Sequence, residues 1–209
     1  LMSRELILHH PDIRQFTTVW MDSLRGGESM LVNTNKLIRF YDGATGLKTG
    51  STGSAGYCLS ATAEKNGMEL IAVVLKGKTS DERFSDAKSL LNYGFSTWSL
   101  VTVTPDEVLP PVPVTLGVRG TVQPVLTSEN TLLVEKTLAN GLTKEVALAE
   151  SVAAPVYAGD TLGQLTVRDA AGNTVAELPI LAGEDVGHVT FVQMLGRCLA
   201  RGFCMGPQS

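Results

Sequence analysis

A glycine-rich stretch with a single lysine, GATGLKTGSTGSAG at residues 43–56, contains the residues best suited to chemistry. Lys48, Thr49 and Gly50 lie at its centre. A phosphate-binding loop needs a glycine directly before the lysine and a helix directly after it. Here Leu47 precedes the lysine and strand-like residues follow, so the sequence does not predict a phosphate loop.

The same stretch is typical of a strand at the edge of a sheet. Gly50 leaves that edge free of side-chain bulk, so the backbone of a bound peptide can approach closely. Lys48 offers a positive charge to a carboxylate, and Thr49 offers a hydroxyl. The pattern therefore favours a peptide that ends in a free carboxylate and lies alongside the strand. The alternative is an ordinary turn with an exposed lysine, because a Lys-Thr-Gly tripeptide is common by chance.

The residues after this stretch predict a hairpin and a helix. Asn66-Gly67 marks a tight turn between two apolar, strand-like segments. Thr79 and Glu82 can form a capping box at the start of a helix, which is expected to end at Gly94. The apolar face predicted for this helix contains Phe84, Ala87, Leu90 and Leu91.

The residues before the stretch predict helical and extended segments. Residues 1–10 have the pattern of an amphipathic helix that is already under way and that Pro11 stops, as in a piece of a longer protein. The segment that follows RGGES is expected to be extended, with a break at Asn33-Thr34-Asn35. Between them, a second helical stripe is expected at Ile13, Phe16 and Trp20.

Composition excludes several classes of protein. Hydrophobic residues make up 44% of the 209 residues and charged residues 18%, which is typical of a globular chain. The net charge of −4 argues against nucleic-acid binding. The 3 cysteines and 3 histidines lack metal-ligand spacing, so we expect no metal and no cofactor. No apolar run is long enough to span a bilayer.

The second half of the chain differs from the first in composition and hydrophobic pattern. A Pro- and Val-rich segment near residue 102 marks a boundary, and short alternating segments up to residue 187 predict an antiparallel sandwich or small barrel. Residues 188–209 predict a terminal amphipathic helix. Two interpretations of this helix stay open, which are binding to a membrane surface through residues 188–204 and packing on the sandwich. Its predicted apolar face contains Phe191, Val192, Leu195, Cys198, Leu199 and Phe203.

From NTNKLI, through the hairpin, to the helix end LLNYGF, residues 1–98 resemble the serine-type D-alanyl-D-alanine carboxypeptidases, which are low-molecular-mass penicillin-binding proteins. The resemblance implies an α+β chain of three parts. Residues 1–101 would be the C-terminal part of a penicillin-binding, β-lactamase-like transpeptidase domain. Residues 102–187 would be an all-β, sandwich-like domain, and residues 188–209 a membrane-associated tail helix.

In that family three motifs, Ser-x-x-Lys, Ser-x-Asn and Lys-Thr-Gly, meet in one cleft. The resemblance implies that Lys48 binds and polarises the terminal carboxylate region, that Thr49 donates a hydrogen bond there, and that Gly50 belongs to the substrate-binding strand. The backbone N–H of Ser51 would form half of an oxyanion hole. The nucleophilic serine, its lysine and the middle motif are expected upstream of Leu1, so the chain alone should be inactive.

Two further segments match the missing motifs in the wrong order. Ser85–Lys88 has the pattern Ser-x-x-Lys, and Ser128–Asn130 has the pattern Ser-x-Asn, but both follow Lys48. We expect the first on the solvated side of a helix and the second in a turn between strands. Both matches are therefore interpreted as coincidences.

The resemblance implies a carboxypeptidase that removes the terminal D-alanine of peptidoglycan stem peptides through an acyl-enzyme and that is acylated by β-lactams. It would act in the cell envelope, outside the cytoplasmic membrane, as a peripheral protein. Two other hypotheses stay open. One is a non-catalytic β-sandwich module for binding or spacing in the cell envelope, and the other is acyl-serine chemistry at Ser85.

Overall fold

Two units make up residues 1–196, which are the part of the chain that the computed structural model describes. Residues 1–100 and 133–137 belong to the first unit, and residues 101–132 and 138 onwards belong to the second. The first unit contains helices α1 (Met2–His9), α2 (Arg14–Thr17), α3 (Leu37–Phe40) and α4 (Ser80–Thr97) and strands β1 (Met21–Leu24), β2 (Ser29–Val32), β3 (Ala44–Thr52), β4 (Gly56–Lys65) and β5 (Met68–Gly77). Then follow β6 (Trp98–Thr102), β7 (Val112–Thr115), β8 (Thr121–Val122), β9 (Pro124–Leu126), β10 (Thr131–Glu135), α5 (Lys136–Ala139), β11 (Thr143–Leu148), β12 (Val152–Ala153), β13 (Thr161–Arg168) and β14 (Thr174–Ala182).

A three-stranded antiparallel sheet in the order β3-β4-β5 is the centre of the first unit. The turn between β4 and β5 consists of Asn66 and Gly67, which have φ values of 52° and 77°. Positive φ at both turn residues matches the right-handed twist of the flanking strands, which explains why an Asn-Gly pair occurs here. The predicted hairpin is confirmed.

Helix α4 covers one face of this sheet and begins where the capping pattern predicted. The Thr79 hydroxyl accepts from the Glu82 N–H at 3.1 Å. The Glu82 carboxylate in turn accepts from the Lys78 N–H at 2.7 Å, which is one residue earlier than a reciprocal capping box requires. The shared core contains Leu37, Leu59, Ala61, Ala63, Ala72, Val74, Phe84, Ala87 and Leu91.

Two details predicted for α4 are wrong. Leu90 is 49% exposed and does not belong to the apolar face. The helix continues past Gly94 to Thr97. A Cβ atom at position 94 would come within 2.5 Å of Leu70 Cδ1, so this glycine permits close packing of the helix on the sheet rather than ending the helix.

The predictions for residues 11–40 are partly wrong. The helix containing Phe16 ends at Thr17, and Trp20 directly precedes the hairpin of β1 and β2. The expected extended segment after this hairpin contains α3 instead, because the Asn35 side-chain oxygen accepts from the Leu37 N–H at 3.2 Å and starts a helical turn.

The second unit contains a four-stranded sheet, in the order β11-β13-β14-β9, and a three-stranded sheet, in the order β12-β7-β8. One cluster of buried side chains joins residues of both sheets, and it contains Val112, Val114, Val122, Val156, Leu162, Ala182 and Val186. With the first unit, this arrangement confirms an α+β fold class.

Residues 191–196 are helical, and Phe191 and Val192 there are 81% and 77% exposed. Residues 197–209, including Cys198, Leu199 and Phe203 of the predicted apolar face, lie outside the described part of the chain. Among the described residues, no helix is both long enough and apolar enough to cross a membrane.

Candidate functional site

The Lys-Thr-Gly residues lie on β3, which is the terminal strand of its sheet, as the sequence predicted. Lys48 pairs with Ser60, Thr49 with Leu59, and Gly50 with Cys58 of β4. Side chains alternate between the two faces of a strand, so Lys48 and Thr49 point to opposite faces. Lys48 is exposed, whereas Thr49 is only 9% exposed.

Gly50 lies beside open space. A Cβ atom built at this position would have no other group within 4 Å, whereas one at Gly43 would come within 2.4 Å of the Glu64 carbonyl oxygen. The packing of this chain therefore requires a glycine at position 43 but not at position 50. The missing side chain of Gly50 leaves room for another molecule along the strand.

A polar segment before α3, residues 33–35, contacts β3 at two points. The Asn35 side-chain amide donates to the Gly46 carbonyl at 2.8 Å, and Asn35 is 3% exposed. The Thr34 hydroxyl lies 2.7 Å from the Thr49 hydroxyl. The sequence predicted only a break at this segment. Its run of side chains that can hydrogen-bond was the available signal for a contact with a neighbouring strand.

Arg83 of α4 contacts the β3–β4 pair from the helix side of the sheet, and no pattern in the sequence predicted this contact. The residue is 7% exposed, and its Nη1 group donates to the carbonyls of Gly50 at 3.3 Å and Cys58 at 3.2 Å. Its guanidinium also lies over the rings of Phe84 and Tyr57, at 4.7 Å and 5.4 Å. Charged donors to two carbonyls on adjacent strands fix the backbone at the position of Gly50.

A cavity of about 930 Å³ lies between α1 and the sheet face opposite α4. Lys48, Cys58 and Ser60 are among its polar lining residues, and Val73 and Leu75 are among its apolar ones. The Lys48 ammonium donates to the Thr49 carbonyl at 2.5 Å. Cys58 is half-buried and lines this cavity.

The two segments that match the missing motifs in the wrong order, Ser85–Lys88 and Ser128–Asn130, do not line this cavity. Ser85 is exposed on α4, and neither Ser85 nor Lys88 lines the cavity. Ser128–Asn130 lies between β9 and β10, where the Asn130 side chain donates to the Val103 carbonyl at 2.9 Å. In contrast, Ser51 directly follows Gly50 on β3, pairs with Tyr57 and is exposed. Within residues 1–196, no cluster of His, Cys, Asp and Glu side chains is arranged to hold a metal ion.

Comparison with protein families identifies both units. Residues 1–79 match the model of the D-alanyl-D-alanine carboxypeptidase family, and residues 101–188 match the model of the penicillin-binding protein 5 C-terminal domain. The chain belongs to the D-alanyl-D-alanine carboxypeptidase family. Within this family, it is 33% identical over 204 residues to D-alanyl-D-alanine carboxypeptidase DacF of Bacillus subtilis, a match that covers 95% of the chain and 52% of DacF.

A second relative is D-alanyl-D-alanine carboxypeptidase DacC of Escherichia coli, which is 30% identical over 143 residues, 68% of the chain and 36% of DacC. The chain thus spans about half, or less, of the length of these family members. Among solved structures, penicillin-binding protein 5 of Haemophilus influenzae superposes with a TM-score of 0.70 at 23% identity over 89% of the chain and 54% of that protein. PBP3 of Streptococcus pneumoniae superposes with a TM-score of 0.61 at 24% identity, over 88% and 55%. At these identities, the two structures show a shared fold.

Proposed function

We propose that this chain supplies the substrate-binding strand of a serine-type D-alanyl-D-alanine carboxypeptidase that removes the terminal D-alanine of peptidoglycan stem peptides. One observation carries this proposal. A terminal strand carries an exposed lysine, a threonine that is only 9% exposed and a glycine beside open space at three successive positions. A peptide with a free C-terminal carboxylate can lie along such a strand as an added one.

Lys48, Thr49 and Ser51 have separate roles in this proposal. Lys48 provides the positive charge that attracts and polarises the region of the terminal carboxylate. Thr49 donates a hydrogen bond to it, and the backbone N–H of Ser51 contributes half of the oxyanion hole. A donor that is fixed before the reaction stabilises the charge that develops in the transition state, and such a donor typically contributes about 100- to 1,000-fold to the rate.

The serine that becomes acylated is, in this proposal, not among the 209 residues. Ser85 lies on a solvated helix surface and does not line the cavity beside β3. The chain alone would therefore be inactive. β-Lactams would acylate the same serine as the substrate does.

The proposed place of action is the outer face of the cytoplasmic membrane, in the cell envelope. Family membership supports a cell-envelope enzyme, and the exposed apolar side chains of Phe191 and Val192 support a weak peripheral contact with the membrane. The proposed domain division is a partial transpeptidase domain at 1–101, a β domain at 102–187 and a tail segment at 188–209, of which residues 191–196 are helical.

Substitution of Gly50 tests the proposal in the protein as its complete reading frame encodes it. Gly50→Ala should reduce kcat/KM for release of D-alanine from an N-acylated tripeptide ending in D-alanyl-D-alanine by roughly 100-fold, because a methyl group displaces the peptide from the strand. The thermal midpoint should stay unchanged, since the added methyl group meets no other atom.

Gly53→Ala is the matched control, because a Cβ atom at Gly53 also meets nothing within 4 Å and the residue lies outside the proposed binding strand positions. It should retain the activity of the unsubstituted protein. Equal activity of the two variants would contradict the proposed binding mode.

A further inference from the structure

We infer that Thr34 is a positioning residue that makes the Thr49 hydroxyl a donor to the terminal carboxylate of the substrate. This inference rests on the proposed function and deepens it. Its basis is the distance of 2.7 Å between Thr34 Oγ1 and Thr49 Oγ1. The two residues are 15 positions apart in the sequence.

The chain holds Thr34 in place through both of its neighbours. The Asn33 side chain donates to the Val19 carbonyl at 2.9 Å and accepts from the Asn35 N–H at 2.9 Å. The Asn35 side chain donates to the Gly46 carbonyl of β3. The backbone around Thr34 is thus attached both to the segment before β1 and to the strand that carries Thr49. The short contact between the hydroxyls is a product of this attachment rather than of a freely rotating surface side chain.

The direction of the hydrogen bond between the two hydroxyls follows from what a carboxylate can accept. Each threonine hydroxyl has one proton to donate. An ionised carboxylate only accepts hydrogen bonds, so Thr49 must direct its proton to the substrate. The contact of 2.7 Å can then persist only if Thr34 donates to Thr49 Oγ1. Each hydrogen bond in such a chain polarises the next, so the proton of Thr34 strengthens the donor that Thr49 presents.

The position of Thr34 suits this role because it can be changed without disturbing the core. Thr34 is exposed, whereas Thr49 is 9% exposed and Asn35 is 3% exposed. Replacing Thr34 with valine retains the shape of the side chain and removes its hydroxyl. An effect of this substitution on substrate preference would therefore come from the hydroxyl.

The test compares a tripeptide ending in D-alanyl-D-alanine as the free acid and as its methyl ester, with the protein encoded by the complete reading frame. The measured quantity is the ratio of kcat/KM for the acid to that for the ester. Thr34→Val should lower this ratio by about tenfold, mainly through KM for the acid, while the thermal midpoint stays unchanged. Thr34→Ser retains the donor and should keep the ratio of the unsubstituted protein.

Thr49→Val distinguishes failure of the role proposed for Thr34 from failure of the carboxylate site proposed on β3. If Thr49→Val lowers the ratio and Thr34→Val does not, the role of Thr34 is overturned and the proposed function stands. If Thr49→Val leaves the ratio unchanged, the proposed carboxylate site at β3 is itself overturned. If Thr34→Val lowers kcat/KM for acid and ester equally, its role is structural and the inference fails.

Discussion

The two units differ in how they bury the apolar faces of their sheets. In the second unit, side chains of both sheets meet in one core, and residues such as Leu165 and Ile180 are completely buried. In the first unit, α4 covers one face of the sheet, but Val73 and Leu75 on the other face are 54% and 72% exposed beside the cavity. The unit with the incomplete core also carries the candidate substrate strand. The sheet of the first unit therefore leaves one apolar face open to the cavity, whereas the second unit buries the side chains between its two sheets.

The largest expected effect concerns the charge on the substrate strand. Lys48→Ala should reduce kcat/KM for D-alanine release by the encoded protein by about 100- to 1,000-fold, because the positive charge beside the carboxylate is lost. Ser85→Ala is the control and should leave D-alanine release unchanged. A loss of activity in Ser85→Ala together with an active Lys48→Ala variant would place the chemistry on α4 and contradict the role of β3 as the substrate strand.

A pair of leucine truncations in the 209-residue chain measures the difference in burial directly. Leu165→Ala in the second unit should lower the free energy of unfolding by about 2–5 kcal/mol, because it leaves a cavity in a closed core. Leu75→Ala in the first unit should cost less than about 1 kcal/mol, because its side chain is 72% exposed. Urea unfolding followed by circular dichroism gives both values, and similar costs would contradict the account of the two cores.

The start of α4 allows a test of the first unit alone. Thr79→Ala removes the acceptor for the Glu82 N–H and should cost about 1 kcal/mol. Trp20 and Trp98 are the 2 tryptophans of the chain, and both lie in the first unit, so tryptophan fluorescence follows its unfolding. Thr79→Ser should retain the stability of the unsubstituted chain. An unchanged fluorescence midpoint in Thr79→Ala would show that the cap contributes nothing.

The smallest effect is expected in the turn between β13 and β14. The side-chain hydrogen bond from Asn173 lowers the pKa of Asp169 below its ordinary value of 3.8, with further help from backbone N–H groups. A lowered pKa in the folded state means that the stabilisation is present above pH 4 or so and is lost as the pH falls through the folded-state pKa.

Asp169→Asn should therefore lower the thermal midpoint slightly at pH 7, and this difference should shrink as the pH falls below 4. Thermal unfolding followed by circular dichroism at pH 7 and below pH 4 measures this difference in midpoint. Because Asp169 lies in the second unit, the tryptophan fluorescence midpoint should not move. A difference that grows at low pH would contradict the assigned direction of the pKa shift.

Local signals made much of the first unit predictable from the sequence. The Asn66-Gly67 turn, the Thr79 cap and the strand character of Lys48-Thr49-Gly50 depend on residues within a few positions of each other. The contacts that fix the site do not. Thr34 meets Thr49 across 15 residues, and Arg83 meets the Gly50 carbonyl across 33 residues. No periodicity encodes such pairs, because they depend on how α4 and the polar segment 33–35 pack against β3.

The expected end of α4 at Gly94 failed for a related reason. A glycine near the end of a helical pattern is typical of a helix terminus. Here the helix continues to Thr97, and the missing side chain of Gly94 leaves room for Leu70 of the neighbouring strand. The tertiary contact overrides the local preference, and the sequence of the helix alone does not contain that contact.

Locating the acylated serine tests the proposed role of this chain most directly. The protein encoded by the complete reading frame is incubated with benzylpenicillin, digested and examined by peptide mass mapping. We predict one penicilloyl group, on a serine outside these 209 residues, and loss of this adduct with Lys48→Ala. An adduct on Ser85, on any other serine of these 209 residues, or no adduct at all would contradict the assignment of this chain as the substrate-binding part of an acyl-serine carboxypeptidase.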